Sequence, residues 1–295
     1  MERDVLVVGE SLVDIVHAAD GSTREYAGGS AANVAVALAR LGRPVQFVTA
    51  WADDERGRVL ADHLERAGVR LATDPHVLTR TATAAATLGA DGAASYEFDL
   101  EWRIGPVEVD SPRVVHTCSL GAVIEPGAAD VVALVSRLRD VAMISYDINA
   151  RPAITGVGAG VVALVERMVA VSDLVKASDE DLAALYPDLD LEVAARRLLT
   201  LGPAAVVVTR GPDGATWFAD HAMVDIASLP VEVADTIGAG DTFGAAMIDA
   251  LWDRGPLADL SPDDIADVLA HAARAAAVTV SRPGADPPYR SELES

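Results

Sequence analysis

Three small residues and a carboxylate stand at the start of one predicted helix. Gly238, Ala239, Gly240 and Asp241 open the run GAGDTFGAAMIDAL, in which apolar residues then recur with helical spacing. Backbone amides at glycines can approach an anion closely, and the first turn of a helix leaves its amides unpaired at the positive end of the dipole. The spacing therefore predicts a phosphate-binding site. Asp241 is either an ordinary capping or first-turn acid, or a base that takes a proton from a hydroxyl attacking the phosphoryl group.

A second glycine pair precedes another predicted helix, in AGGSAANVAVALARLG at 27–42. Gly28 and Gly29 come before Ser30, which we predict to cap the helix, and Asn33 falls in the first turn. The small residues of this run are explained equally well by a helix packed tightly against a sheet. The amide of Asn33 is harder to explain in that way, because it could bind ligand hydroxyls.

Polar residues also follow two predicted central strands, at the edge where open α/β sheets bind ligands. YDINARP at 146–152 brings Asp147, Asn149 and Arg151 to one strand end. VKASDEDLAALYP at 175–187 brings Lys176 and Ser178, followed by three acids, to another. These residues either cap a helix with acids in its first turn, or the acids hold Mg²⁺ near phosphates through water.

A further motif, VVVTRGPDGATWF at 206–218, joins a predicted strand to a glycine-rich turn. On its own the motif is best explained as a tight turn between strands. Two other patterns are dismissed. GVGAG at 156–160 lacks the full dinucleotide-binding spacing and does not directly follow a strand, and the chain has no GxxxxGK[ST] phosphate loop. The six histidines show no zinc-ligand spacing.

The elements that must position these residues alternate along the chain. Short apolar runs predict strands at 5–10, 45–49, 113–117, 142–147, 174–178 and 204–210. Helical patterns lie between them at about 30–41, 55–67, 127–139, 158–170, 191–200, 239–253 and 262–280. This alternation predicts an α/β fold with a mostly parallel sheet covered by helices on both faces. Two hairpin-like segments, 11–29 and 80–102, break the rhythm and suggest a lid, with GADGAA as the turn of the second.

Composition limits the class of protein and its partners. The chain has 295 residues, 51% of them hydrophobic, and no apolar run of membrane-spanning length. Its net charge of −22 disfavours nucleic acids and anionic membranes as partners. Cys118 is the only cysteine, which excludes an internal disulfide, and the first residues do not resemble a signal peptide. We expect a single cytoplasmic domain over 1–295, with Cys118 as a small core residue.

With these residues in view, the chain resembles the PfkB carbohydrate kinases, also called the ribokinase-like family. AGGSAANVAVALARLG resembles the N-terminal signature and DTIGAGDTFGAAMI at 235–248 the C-terminal one. The resemblance implies a three-layer ribokinase-like fold with a small β lid, and an enzyme that uses ATP and Mg²⁺. Asp241 would be the catalytic base and Gly238, Ala239 and Gly240 the anion hole. The sugar would be bound by Asp14, Gly28, Gly29, Asn33 and Arg151, next to Asp241.

The same resemblance assigns the nucleotide and ion sites. Lys176, Ser178 and Asp181 fall on the family's KxNxxE stretch, which handles phosphate and Mg²⁺, with Ser in place of Asn and Asp in place of Glu. The nucleotide would lie along Thr209, Gly211 and Gly214. Asp235 and the backbone near Gly284 correspond to a K⁺ site, where Pro288 stands in place of a Ser ligand of some relatives. The lid often forms a homodimer contact in the family.

YDINARP, SLGAVIEPG at 119–127 and SRPGADPP at 281–288 resemble the fructokinase-like branch most. They favour fructose as the sugar substrate over 2-keto-3-deoxygluconate or ribose, which other members phosphorylate. A sugar- or nucleotide-binding regulator without activity is the alternative from another class, although a mere binder has no need of Asp241 as a base. An NAD-dependent oxidoreductase lacks its glycine pattern.

Overall fold

A computed structural model describes residues 4–17, 21–88, 94–109 and 111–294. Within these ranges the strands form two sheets. In chain order they are β1 Val5–Val8, β2 Leu12–His17, β3 Thr23–Gly28, β4 Val45–Val48, β5 Arg70–Leu71, β6 Thr83–Leu88, β7 Ala94–Asp99, β8 Val114–Cys118, β9 Met143–Asp147, β10 Leu174–Ser178, β11 Ala205–Thr209, β12 Ala215–Phe218 and β13 Met223–Ile226.

The large sheet has the order β13-β12-β11-β10-β9-β8-β1-β4-β5. Every pair from β5 to β11 is parallel, and β12 and β13 are added by antiparallel pairing. β1 lies between β4 and β8. After β1 the chain adds β4 and β5 on one side of it, and later adds β8 to β13 on the other side. The crevice beyond the carboxyl ends of β1 and β8 is therefore the switch point at which such sheets bind ligands.

Helices cover both faces of this sheet, as the alternating strands and helices predict. They are α1 Ser30–Arg40, α2 Glu55–Arg66, α3 Gly127–Leu138, α4 Pro152–Thr155, α5 Ala159–Val169, α6 Asp179–Leu185, α7 Leu191–Leu199, α8 Ala239–Leu251, α9 Pro262–Val280 and α10 Arg290–Leu293. Successive strand residues point to opposite faces. On β1, Val5 and Val7 pack in a core with α1, α2 and α8, whereas Leu6 and Val8 pack in the core that contains α3, α5, α6 and α7.

The small residues of α1 allow its first turn to approach the end of β1. A Cβ added to Gly9 would lie 2.5 Å from the Cβ of Ala31. This contact fixes the direction of α1, so that Ser30 and Asn33 come to the switch point. The prediction that Ser30 caps the helix is wrong: Gly29 is the N-cap, makes no side-chain cap bond, and Ser30 is already helical.

The two hairpin-like segments pair into the second sheet, of order β3-β2-β6-β7. β2 joins β6 in parallel, while β3 and β7 pair antiparallel on the outside. Most of the turn predicted for GADGAA, residues 89–93, lies outside the described residues. No helix in the described ranges is both long and apolar enough to span a bilayer.

Candidate functional site

Asp241 lies in the first turn of α8, almost fully buried at 7% exposure. Its Oδ1 accepts a hydrogen bond from Ser30 Oγ at 2.7 Å, and its Oδ2 accepts one from Asn33 Nδ2 at 2.8 Å. The N-cap of α8 is Gly238, and no side chain caps this helix. Because the carboxylate is held by side chains of α1 and not by backbone amides of its own helix, the capping explanation of Asp241 fails.

The glycines before Asp241 are required by the backbone and by close contacts. Gly238 has φ 75°, and a Cβ on it would lie 2.7 Å from the Cβ of Ala285. A Cβ on Gly240 would lie 3.3 Å from Lys176 Nζ. The open first turn of α8 therefore faces an ammonium group, and the two together favour an anion.

Lys176 and Asp147 form a buried ion pair beneath this turn. Lys176 Nζ donates to Asp147 Oδ2 at 2.8 Å, with side-chain exposures of 7% and 1%. Burial lowers the pKa of Lys176, but the charges of Asp147, Asp181 and Asp241 outweigh it and leave the pKa raised. The ammonium is therefore charged at neutral pH. Asp147 Oδ1 is buried without a hydrogen-bond partner among the described residues, and burial raises the pKa of this carboxyl to about 6.

Asn149 and Arg151 connect the end of β9 to Asp241. Asn149 adopts φ 39°, and its Nδ2 donates to Ser30 Oγ at 2.8 Å. One nitrogen of the Arg151 guanidinium donates to Asn149 Oδ1 at 2.6 Å. The guanidinium itself is exposed. Arg151 is therefore linked to the Asp241 carboxylate through Asn149 and Ser30, and its other guanidinium nitrogens make no hydrogen bond to the described residues.

Asp14 and the glycine pair lie where the second sheet meets α1. A Cβ on Gly28 would lie only 2.1 Å from Asp14 Oδ2, and Gly29 has φ 103° with Glu10 O at 2.7 Å from its Cβ position. Gly29 therefore does not tolerate a side chain, and a side chain at Gly28 would have to displace the Asp14 carboxylate. Burial raises the pKa of Asp14 to about 6, while the charge of Arg151 lowers it. Asp14, Arg151 and Asp241 thus belong to one polar crevice.

Sequence reasoning missed Glu10, which follows β1 at the switch point. Its carboxylate is buried and Oε2 accepts the backbone N–H of Gly121 at 2.9 Å, in a short 3₁₀ helix at Ser119–Ala122. Burial raises its pKa to about 7; the Glu10 and Gly121 amides and Arg151 lower it, and Asp241 raises it further. A single Glu after a strand carries no sequence signal, so only the topology reveals its proximity to Asp241.

Ser178 and Asp181 form a capping box at the start of α6. Ser178 Oγ accepts from Asp181 N, and Asp181 Oδ2 accepts from Ser178 N. Asp181 Oδ1 accepts the amide of Ala150 at 2.7 Å, which ties the β9 loop to α6. The capping alternative is therefore realised, and a role at Mg²⁺ stays a prediction. The described residues contain no group of three or more His, Cys, Asp or Glu that could hold a metal ion.

The residues predicted to follow the nucleotide lie on β11 and the turn to β12. Thr209 ends β11 opposite Ser178 of β10. Gly211 has φ 50° and Gly214 φ 91°, and a Cβ on Gly214 would lie 2.0 Å from Ile226 O. The turn is thus fixed beside the carboxyl end of β10, which carries Lys176 and Ser178.

Asp235 and Gly284 come together although they are 49 residues apart. Asp235 Oδ2 accepts the N–H of Gly284 at 2.9 Å, and Oδ1 accepts that of Ile237 at 3.0 Å. These backbone hydrogen bonds lower the pKa of Asp235. The loop that leads into α8 is therefore joined to the segment that follows α9.

The chain is similar to known carbohydrate kinases over almost all of its length. The pfkB family carbohydrate kinase model matches residues 2–292. A fructokinase of Rhizobium leguminosarum bv. trifolii is 34% identical over 260 residues, 84% of this chain and 79% of that protein. The crystal structure of a Xylella fastidiosa fructokinase with bound ATP has a TM-score of 0.86 at 27% identity and covers 100% of this chain and 98% of that one. A Vibrio cholerae O395 fructokinase with fructose, ADP and calcium has a TM-score of 0.84 at 25% identity, with coverages of 99% and 98%.

Proposed function

Because the chain belongs to the pfkB family of carbohydrate kinases, we propose that it transfers the γ-phosphoryl group of ATP to a primary hydroxyl of fructose. The observation that carries the proposal is the Asp241 carboxylate, held by Ser30 and Asn33 at the start of α8 and close to the anion-binding turn. The similar fructokinases, one with ATP and one with fructose and ADP, support both substrates.

Asp241 acts as the general base in this proposal. The two donors fix the carboxylate, so that it can take the proton of an attacking hydroxyl without reorganising. The amides of Gly238, Ala239 and Gly240 stabilise charge on the transferring phosphoryl group. Catalysis is mostly positioning and electrostatics, as in other phosphoryl transfers.

The sugar binds in the crevice between the lid sheet and the switch point. Asp14 would accept hydrogen bonds from sugar hydroxyls, and the amide of Asn33 would exchange hydrogen bonds with them. The backbone at Gly28 and Gly29 would leave room for the ring. The exposed guanidinium of Arg151 would close the site from the β9 side. The raised pKa of Asp14 is consistent with a desolvated carboxyl that gains from hydroxyl partners.

ATP lies across the carboxyl ends of β10 and β11, with its phosphates toward Lys176 and Gly240 and its nucleoside along Thr209, Gly211 and Gly214. Mg²⁺ fits this region, since Asp147 has an unpartnered oxygen and Asp181 lies within Coulombic reach of Lys176. Asp181 would hold it through water, and the ion would neutralise phosphate charge. A K⁺ ion near Asp235 and Gly284 and a cytoplasmic location complete the proposal.

The preference for fructose is tested by a panel of sugars. With ATP and Mg²⁺, we expect fructose to give the highest kcat/KM among common hexoses, pentoses and keto acids, measured as ADP release. A higher kcat/KM for ribose or 2-keto-3-deoxygluconate would overturn the choice of sugar and leave the kinase assignment standing. No ADP release with any sugar would favour a regulator that binds without catalysis.

We also propose that the second sheet is a lid of a single kinase domain, and that it forms the contact of a homodimer. β3 is exposed along most of its length, with Tyr26 half-exposed, which leaves a surface for a second copy. Fructose should slow hydrogen exchange in β2, β3, β6 and β7, because closure excludes water from the reacting groups. Mass spectrometry of exchange with and without sugar measures this. Unchanged exchange in all four strands, with α7 as internal reference, would contradict closure.

A further inference from the structure

A cavity of about 360 Å³ opens between the C-terminal half of α8, helix α9 and the start of α10. It lies apart from the kinase site: Asp249 on its wall follows Asp241 by eight residues, which is about 12 Å along a helix axis. Its volume falls within the range of about 300–1,000 Å³ that small-molecule sites occupy. The cavity is therefore large enough for a ligand of metabolite size.

The buried acid of this cavity is already neutralised. Asp249, 3% exposed, accepts hydrogen bonds at Oδ1 from Arg43 Nε and from one terminal nitrogen of Arg290, both at 2.5 Å. Its Oδ2 lies 2.9 Å from His271 Nε2. These partners keep the pKa of Asp249 low although burial raises it. Two guanidiniums share one carboxylate, so the cluster keeps a positive excess.

Two further arginines line the cavity, together with two further aspartates. Arg254 lines the cavity and pairs with Asp264 and, at 3.5 Å, with Asp267. Arg274 lines it as well, and in the described part of the chain its exposed side chain makes no ion pair or hydrogen bond. Asp253 and Asp267 are the other acids on the wall. Arginines thus outnumber carboxylates here, in a chain with 45 acidic and 23 basic residues.

We propose that this cavity binds a phosphate group, either of a small organic phosphate or as free orthophosphate. Guanidinium groups present planar pairs of N–H donors that match the oxygens of phosphate, and they stay charged at all relevant pH values. Arg274 contributes an uncommitted guanidinium, while Arg43 and Arg290 are held in place by Asp249. A bound phosphate would tie α9 to the end of α8, the helix whose other end holds Asp241.

The experiment is isothermal titration of the full chain with orthophosphate and, separately, with fructose 6-phosphate. Both the wild type and Arg274→Ala are measured. We expect saturable binding to the wild type and a loss of about tenfold in affinity in Arg274→Ala, the cost of one hydrogen bond to a charged group. Arg58→Ala, which removes an exposed arginine of α2 outside the cavity, is the matched control and should bind as the wild type does.

Arg274→Ala would not change the affinity for phosphate bound at the start of α8. A difference in affinity between wild type and Arg274→Ala therefore reports binding in the cavity. Tighter binding of the sugar phosphate would identify an organic phosphate as the ligand, and equal affinities would identify the phosphate group alone. Equal binding to wild type and Arg274→Ala, or no saturable binding of either compound to the wild type, would overturn the proposal. No step of this test depends on kinase activity.

Discussion

Replacement of Asp241 by Asn is expected to lower kcat by about 10²–10⁴ while the protein stays folded. The amide keeps the size of the carboxylate and one acceptor oxygen, so one of the hydrogen bonds from Ser30 and Asn33 survives. It removes the group that, in our proposal, accepts the proton of the sugar. Because that loss acts in the transition state, KM for sugar and ATP should change much less than kcat.

The measurement is steady-state kcat at saturating fructose, ATP and Mg²⁺, with circular dichroism to check folding. Asp263→Asn is the matched control, since Asp263 is also a first-turn acid, in α9, and its side chain is exposed. It should keep the wild-type kcat. A folded Asp241→Asn enzyme within a few-fold of wild type would show that Asp241 is not the base.

Replacement of Glu10 by Gln is expected to raise the unfolding free energy, relative to wild type, more at alkaline pH than at acidic pH. Burial raises the folded-state pKa of Glu10 to about 7 from 4.5. The folded state therefore binds more protons than the unfolded state between these values, and the Glu10 contribution to stability falls as pH rises through that window. The full shift corresponds to about 3 kcal/mol at pH 8.

The Gln side chain carries no charge, and its oxygen can still accept the hydrogen bond from the Gly121 N–H. The variant therefore does not lose this stability as pH rises. The difference in unfolding free energy between Glu10→Gln and wild type should therefore grow by about 2–3 kcal/mol from pH 5 to pH 8. Urea unfolding at several pH values measures it, and Glu180→Gln, at an exposed position of α6, should show no such trend. A difference that stays constant over this range would mean that Glu10 is ionised in the folded protein throughout.

Much of the fold follows from residue patterns. The helices predicted at 30–41, 127–139 and 262–280 match α1, α3 and α9 to within a residue or so at each end, because long amphipathic runs constrain both period and length. The helix after Ser178 was predicted without bounds and corresponds to α6, whereas α4 and α10 were missed, since four residues are too few for a helical period to emerge. The strands β5 and β13, with two and four residues, were missed because so few residues show no clear alternation.

The site could be predicted from sequence only where unusual residues follow one another, as at Gly238–Asp241, whose role in catalysis stays a prediction. It was not predictable where tertiary contacts decide. Ser30 was expected to cap α1, yet its hydroxyl donates to Asp241, since Gly29, with φ 103°, occupies the N-cap position between β3 and α1. Glu10 and the Lys176–Asp147 pair gain their properties from burial, which no local pattern reports.

The hydrogen bonds to Asp241 have a consequence for synthesis of the protein in cells. Ser30 and Asn33 precede Asp241 by 211 and 208 residues. At translation rates of about 5–20 residues per second, the carboxylate leaves the ribosome roughly 10–40 s after its partners. Until then the crevice beside β1 lacks the Asp241 carboxylate, and the apolar face of α1 that receives α8 is uncovered. A nascent chain without α8 therefore has no Asp241 carboxylate, and in our proposal phosphoryl transfer can report only on chains in which α8 has been completed.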